Sequence, residues 1–394
     1  MAEDRLTSMQ ADVLRTYRRA KGYSQEYVAT LLNVARQTYV AVEQGQAPLG
    51  NDDRRLLARS LGIPPSMLGV SGGAVIPLPA TDLVRALWAQ FYSGTAPGML
   101  GLVPHAQLWL DEQPRMPGPD SAVISQLYQA ITTSLRDARM YRAALETANA
   151  GVVFAEHLSG PREPSADASS AYYRRSRVYA GMAEGAQGER RLELLGLAAT
   201  DAAAAVARAP EDRLALRVVS LQNLAHLQAI AGAGPTAAIA TVQQAFNLAG
   251  GNTGYVRDAT NITLSRSGLY HAAARVYIEL ARVAEGRGYL ESAEDHIGDA
   301  LGALSAVEHR WNVDMHITHM EIAARQGNMR DAADIAPQIA SALDIHQSRR
   351  LGGRALEVIA RIRVPRANRA ARENLNDAAA QIKRMISSVG VVAV

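Results

Sequence analysis

The sequence predicts an all-α protein in which a small N-terminal domain of five short helices precedes a larger body of helix pairs. Apolar residues recur three or four positions apart along most of the chain, and no convincing run alternates apolar with polar residues. A chain of 394 residues also exceeds the size at which single cores stop growing, roughly 250 to 300 residues. We therefore expect an N-terminal domain at residues 1–68, a linker at 69–80 and a helical body at 81–394.

The composition is that of ordinary globular material. Hydrophobic residues make up 48% of the chain and charged residues 20%, and no apolar stretch reaches the ~18 residues needed to span a membrane. Residues 1–20 are too charged for a signal peptide, so we expect a cytoplasmic protein without membrane contact. The absence of cysteine agrees with that compartment and excludes disulfides and thiolate metal sites. The net charge of +3 suits nucleic acid but is too small to predict it.

The first three helices follow from their start and stop signals. A helix at about Ser8–Lys21 is ended by Gly22, and Ser24 is placed to cap a second helix at Gln25–Leu32. A tight turn at Asn33, Val34 and Ala35 leads into a third helix that ends at Gly45. Two short helices joined by such a turn form a helix-turn-helix.

The third helix has distinct inner and outer faces. We expect Val34, Tyr39 and Val42 to point inward. The outward residues are then Arg36, Gln37, Val40, Ala41 and Gln44. A fourth helix begins at a cap, Asn51 or Asp52, and a short fifth helix begins at Pro64 and ends near Leu68. The uncharged, glycine- and proline-containing run from Gly69 to Ala80 indicates a linker.

The body is predicted to consist of successive pairs of amphipathic helices. Three segments each contain two helices around a short break and recur at intervals of roughly 35 to 45 residues, at 121–158, 170–210 and 213–249. Two later units, at 267–304 and 313–343, share a Gly-x-x-x-x-Ala pattern (Gly288 to Ala293, Gly327 to Ala332). Stacked pairs of this kind build an α-solenoid, whose extended face binds peptides or proteins. The alternative prediction for the body is an irregular helical bundle.

The N-terminal segment resembles the lambda-repressor/Cro-like (XRE) helix-turn-helix domain. The resemblance is carried by LRxxR, Gly-Tyr-Ser-Gln, Val-Ala-Arg-Gln-Thr, Glu43-x-Gly45 and LARSLGIPPSML in order. It implies that Arg36, Gln37 and Ala41 face base edges, with Gln44 on the same outward side. It further implies that Gln25 and Thr38 meet the DNA backbone, and that Arg18 pairs with buried Glu43 and touches phosphate.

One position departs from that pattern. The residue before the third helix is usually Ser or Thr, and here it is Ala35. A missing helix cap costs about 1 kcal/mol and removes a hydroxyl that could hold phosphate. We therefore expect a single copy of this N-terminal domain to bind DNA weakly.

The body resembles the tetratricopeptide repeat, and the whole chain is similar to peptide-responsive regulators of the Rap, Rgg and PlcR type. This resemblance implies a homodimeric transcription factor that binds a double-stranded, inverted-repeat operator and a small signalling peptide. Candidate ligand contacts are polar residues on the first helices of the pairs, with Asn223 and Asn261 preferred because asparagine is unfavourable within a helix. The full set is Asn223, Asn261, Arg217, Arg257 and Asn312.

Two alternatives stay open. The body could bind a protein partner instead of a peptide, or it could contain an enzyme active site without a recognisable signature. Against the enzyme, the chain has no phosphate-binding loop, dinucleotide fingerprint, His-Glu-x-x-His or Gly-x-Ser-x-Gly motif. His316 and His319 share a helix face, but Glu321 points elsewhere, so we predict no metal, cofactor or catalytic residue.

Overall fold

A computed structural model describes most of the chain. The described residues are 5–63, 65–70, 79–93, 96–112, 121–160, 162–232, 234–250, 254–283, 287–305, 308–346, 348–364 and 368–388. Of the predicted linker, residues 71–78 lie outside the described residues, as does Pro64.

The N-terminal segment folds into four α-helices and one turn of 3-10 helix. In order they are α1 (Ser8–Ala20), α2 (Gln25–Leu31), α3 (Arg36–Glu43), α4 (Asn51–Leu61) and a 3-10 helix at Pro65–Leu68. Thr7 and Gln10 form a reciprocal capping box that starts α1. The helix α4 begins at Asn51 with Gly50 before it, so the predicted side-chain cap at Asn51 or Asp52 is wrong.

The rest of the described chain is almost entirely helical. The helices that follow are α5 (Ala80–Ser93), α6 (Ala96–Glu112), α7 (Ser121–Asp137), α8 (Tyr141–Ser159), α9 (Ala166–Glu184), α10 (Gly188–Arg208), α11 (Leu214–Ile230), α12 (Pro235–Ala249), α13 (Arg266–Val283), α14 (Arg287–Gly302), α15 (His309–Gln326), α16 (Met329–His346), α17 (Arg349–Arg361) and α18 (Arg369–Ser388). This confirms the all-α prediction, and each body segment chosen from the sequence contains two helices.

A small hairpin interrupts the helices between α12 and α13. Its strands β1 (Val256–Arg257) and β2 (Thr263–Leu264) pair antiparallel, with Val256 opposite Leu264. Asn261 lies in the turn with φ of +54°, a left-handed conformation that asparagine tolerates better than most residues. The prediction that Arg257 and Asn261 lie within a helix is therefore wrong, because the local turn chemistry outweighs the helical pattern around it.

The chain forms two compact units. The first comprises Met1–Thr147, Ile345–Gly352 and Ile382–Val394, and the second comprises Ala148–Asp344 and Gly353–Gln381. The first unit therefore holds α1 to α7 together with parts of α8, α16, α17 and α18. The predicted domain limits at residues 68 and 81 fall inside this unit and stay a prediction.

The helix-turn-helix segment has a core of its own within the first unit. Leu14, Tyr39, Leu57, Leu61 and Met67 are fully buried. Arg54 of α4 is buried as well, and its guanidinium donates to the carbonyls of Leu49 and Leu68, each at 2.9 Å. These bonds hold the 3-10 helix against α4.

In the second unit, neighbouring helices pack in pairs, α9 with α10, α11 with α12 and α13 with α14. Small residues line the contacts, including Ala225, Ala238 and Ala273 in one cluster. Another cluster joins α13, α14 and α15 through Ile278, Ile297, Met315 and Ile322. The first helices of successive pairs also touch, α9 with α11, α11 with α13 and α13 with α15. Among the described helices, none combines the length and apolarity that crossing a membrane requires.

Candidate nucleic-acid interface

The turn between α2 and α3 is closed by local interactions. The hydroxyl of Ser24 accepts a hydrogen bond from the amide of Tyr27 at 3.0 Å and so caps α2 as predicted. Asn33 has φ of +54°, which reverses the chain direction after α2. The amide of Val34 then donates to the carbonyl of Ala29 at 3.0 Å. A capped start and a left-handed asparagine thus produce the helix-turn-helix.

The outer side of α3 presents polar side chains to solvent. Arg36, Gln37 and Thr38 are exposed, Ala41 is half-buried, and Gln44 is exposed just beyond the last turn. Within the described part of the chain, Arg36 and Gln37 make no side-chain hydrogen bond or ion pair. Their donors and acceptors are therefore available to a ligand, and arginine and glutamine match the edges of guanine and adenine respectively.

The start of α3 differs from the start of α2. Ala35 occupies the cap position and makes no side-chain bond, as its sequence predicts. Val34 is 36% exposed, so the prediction that it points inward is wrong. Its position explains the error, because Val34 precedes the first helical residue and the 3.6-residue period does not apply to it. Tyr39 and Val42 are buried as predicted.

A buried ion pair supports α3 from below. The guanidinium of Arg18 donates through Nε to Oε1 of Glu43, and through Nη2 to Oε2 at 3.3 Å. The hydroxyl of Tyr39 and the Nε2 amide of Gln25 donate to the same carboxylate, each at 2.9 Å. The side chain of Glu43 is only 2% exposed. One carboxylate therefore connects α1, α2 and α3.

The ionisation of this network follows from its geometry. Burial alone would raise the pKa of Glu43, but the hydrogen bonds from Arg18, Gln25 and Tyr39 outweigh burial and lower that pKa. Burial, with the adjacent Glu43 carboxylate, raises the pKa of the Tyr39 phenol, which keeps its proton as a donor. Arg18 and Glu43 are thus both charged, and Tyr39 is neutral.

The network also uses groups that the sequence assigns to the DNA backbone. Arg18 donates through Nη1 to the carbonyl of Tyr23 at 2.7 Å, in addition to its bonds with Glu43. The amide nitrogen of Gln25 is directed at Glu43 as well. The pairing of Arg18 with Glu43 is present in the structure, whereas phosphate contacts by Arg18, Gln25 and Thr38 stay predictions.

Two residues missed by the sequence reasoning attach α1 to neighbouring elements. Arg15 donates to the carbonyl of Glu43 at 2.9 Å and to the carboxylate of Asp12 at 2.8 Å. The other oxygen of Asp12 accepts from the amide of Ala143 at 3.1 Å. Arg142 in turn donates to the carbonyl of Gln44 at 3.4 Å. The one sequence signal was a carboxylate flanked by apolar residues, Ala11 and Val13, on α1.

The candidate ligand contacts of the body lie in three different elements. Asn223 and Arg217 lie on α11, Asn312 on α15, and Arg257 and Asn261 on the hairpin. Asn223 is buried, and its amide donates to the hydroxyl of Ser176 at 2.8 Å, which ties α11 to α9. Asn312 has a buried Oδ1 without a hydrogen-bond donor. Ligand contacts by these five residues stay predictions. No group of His, Asp and Glu within the described ranges is arranged to hold a metal ion.

A family model described as helix-turn-helix matches residues 14–68. The chain therefore carries a helix-turn-helix domain, and the matched range contains α2, the turn, α3 and the supporting Arg18–Glu43 pair. No curated protein matches the sequence.

Three solved structures can be set beside the chain. Bacillus thuringiensis PlcR, in complex with the peptide PapR7 and DNA, is 12% identical, with a TM-score of 0.36 over 78% of this chain and 99% of PlcR. ComR from S. thermophilus, in complex with DNA and its signalling peptide ComS, is 12% identical, with a TM-score of 0.33 over 79% and 99%. Apo ComR from Streptococcus vestibularis is 11% identical, with a TM-score of 0.32 over 79% and 98%.

Proposed function

We propose that the chain is a sequence-specific DNA-binding transcriptional regulator. The observation that carries the proposal is the pair of exposed, unengaged side chains Arg36 and Gln37 on α3. They stand on a helix whose opposite side is anchored through buried Tyr39 and Glu43. A rigid helix that presents arginine and glutamine to solvent suits the major groove, where these side chains make bidentate contacts to guanine and adenine.

In this proposal the protein acts as a homodimer on an inverted-repeat operator. One α3 spans only a few base pairs, and its start is uncapped at Ala35, so a single domain gains little affinity. Two linked domains raise the effective concentration of the second binding event. Half-sites would then be about one helical turn apart, roughly 34 Å.

The helical body supplies control in the same proposal. Helix pairs with small residues at their contacts, such as α13 with α14, offer an extended surface to a peptide. The peptide switches DNA binding by binding the active and inactive arrangements of the dimer with different affinity.

The test is a selection of DNA sequences from a random library, followed by binding measurements on the selected site. Wild-type protein should select an inverted repeat. The double variant Arg36→Ala/Gln37→Ala should bind the selected site more weakly than wild type, by a factor of about 10 to 100 or above. Its weak binding to random DNA should change far less. Arg190→Ala, an exposed arginine on α10 paired with Glu193, is the control for loss of one positive charge. Equal discrimination by the double variant and wild type would refute the role of α3.

A further inference from the structure

Four arginines from three helices of the second unit act on one histidine of α11, His226. Arg275 of α13 contacts the ring of His226 through Nη2 at 3.3 Å. Three further arginines act electrostatically on the same ring: Arg177 of α9, Arg282 of α13 and Arg354 of α17. Burial and these positive charges hold the pKa of His226 well below its ordinary value, so the ring is neutral.

Part of this positive charge is balanced within the protein. The carboxylate of Glu321 accepts from Arg282, Arg325 and Arg354. Arg282 also binds Glu279, and Arg354 also binds Asp314. Arg282, Arg325 and Arg354 thus share three carboxylates, and the ion pairs join α13, α15 and α17.

Arg177 differs from these paired arginines. Arg177 is half-buried, and within the described residues it makes no hydrogen bond or ion pair. Its positive charge therefore has no counter-charge among the described residues. Its positive charge contributes to lowering the pKa of His226 and of His271.

Arg177, His226 and Arg275 lie on the first helices of three successive helix pairs. Positions 177, 226 and 275 follow one another at equal intervals, on the first helices α9, α11 and α13. These three helices contact one another in sequence. A repeated position on adjacent first helices is where repeat proteins present side chains to an extended ligand.

We propose that Arg177, His226 and Arg275 form a subsite for a carboxylate of the peptide bound by the body, either its C-terminal carboxylate or an acidic side chain. This inference rests on the proposed function. A carboxylate accepts charge-assisted hydrogen bonds from guanidinium groups, and arginine binds it in bidentate fashion. The ligand then supplies the anion that Arg177 lacks among the described residues.

The experiment uses the full-length protein and two degenerate pools of short peptides, identical except that one has amidated C-termini. Captured peptides are identified by mass spectrometry. Wild-type protein should enrich acidic peptides, or depend on the free C-terminus, and comparison of the pools separates these two sources of carboxylate. Arg177→Gln should reduce that enrichment about 10-fold, Arg177→Lys should restore part of it, and the exposed control Arg190→Gln should leave it unchanged.

Three results would overturn the subsite: no peptide captured, captured peptides without any carboxylate preference, or an unchanged preference in Arg177→Gln. Helical circular dichroism and binding to the selected operator are measured on the same samples. If operator binding persists in any of these cases, the subsite is wrong and the DNA-binding function stands. If wild-type protein binds no operator, the proposed function itself has failed.

Discussion

The carboxylate of Asp12 in α1 accepts a hydrogen bond from the backbone amide of Ala143, in the first turn of α8, at 3.1 Å. That amide has no acceptor within its own helix. The residue that precedes α8, Met140, has no side-chain oxygen that could cap it. A residue of the helix-turn-helix domain therefore supplies a cap to a helix that lies far along the chain.

Replacement of Asp12 tests this capping role. Asp12→Ala should lower the free energy of unfolding by about 1 kcal/mol, because the Ala143 amide loses its acceptor while staying buried. Asp12→Asn should cost less, since its amide oxygen can still accept the bond. Hydrogen exchange at the Ala143 amide measures the effect directly. Identical protection in Asp12→Ala and wild type would show that Asp12 does not cap α8.

The uncapped start of α3 offers a gain of stability. Ala35→Ser places a hydroxyl where the extended backbone of residue 35 already has cap geometry. We expect the helix-turn-helix domain to be stabilised by about 1 kcal/mol, with tighter operator binding. Ala35→Val is the matched control, because valine adds volume without an acceptor. Urea unfolding measures the stability of the domain, and hydrogen exchange of the amides of α3 shows where it changes. Equal effects of Ser and Val would contradict the explanation by capping.

The Arg18–Glu43 pair should behave as a coupled unit. Glu43→Gln leaves the buried guanidinium of Arg18 without a counter-charge and should cost roughly 3 kcal/mol. Arg18→Gln should cost a similar amount, and the double variant should cost clearly less than the sum. The quantity measured is the free energy of unfolding of all four proteins. Strict additivity would mean that the two side chains contribute independently.

The same pair predicts a response to acid. Because the pKa of Glu43 is lowered in the folded domain, its contribution is present above the ordinary value of 4.5 and disappears as the pH falls through the folded pKa. Domain stability should therefore fall below about pH 4.5, and Glu43→Gln should remove that part of the dependence.

A buried histidine predicts a loss of stability at milder acidity. His271 hydrogen-bonds Thr318 at 2.9 Å, and burial, opposed by Asp314, lowers its pKa from 6.5 to about 3. The unfolded chain binds the proton and the folded chain does not, so this group lowers stability as the pH falls below 6.5. The loss is about 1.4 kcal/mol per pH unit at most.

The variant His271→Gln keeps a hydrogen-bonding group but cannot titrate. Urea unfolding at about pH 7 and about pH 5 should give a smaller difference in stability for this variant than for wild type. His226, whose pKa is also lowered, should leave part of the dependence in place. If wild type and variant have the same pH dependence, the His271 ring is not kept neutral by burial.

Local signals were sufficient to predict most helices. Thr7, Ser24 and Gly62 start or stop helices through contacts with residues at most four positions away, so the chain itself encodes those boundaries. The pairing of Arg18 with Glu43 followed from the family resemblance, whereas the turn at Asn261 was missed because its left-handed conformation carries no periodic signal.

Contacts between residues distant in sequence were harder to predict for a physical reason. Asp12 and Ala143 are distant in sequence, and so are Arg275 and His226. Such contacts depend on how helices pack, which amphipathic periodicity does not determine. The half-buried position of Arg177 likewise depends on how the helices pack.

The ion pairs of Glu321 restrict the movement of three helices relative to one another. Its carboxylate binds Arg282 of α13, Arg325 of its own helix α15 and Arg354 of α17. A slide of one of these helices by a single turn, about 5.4 Å, would break an ion pair at a carboxylate that is largely shielded from water. A ligand that deforms this part of the second unit must therefore either move the three helices together or break an ion pair at Glu321.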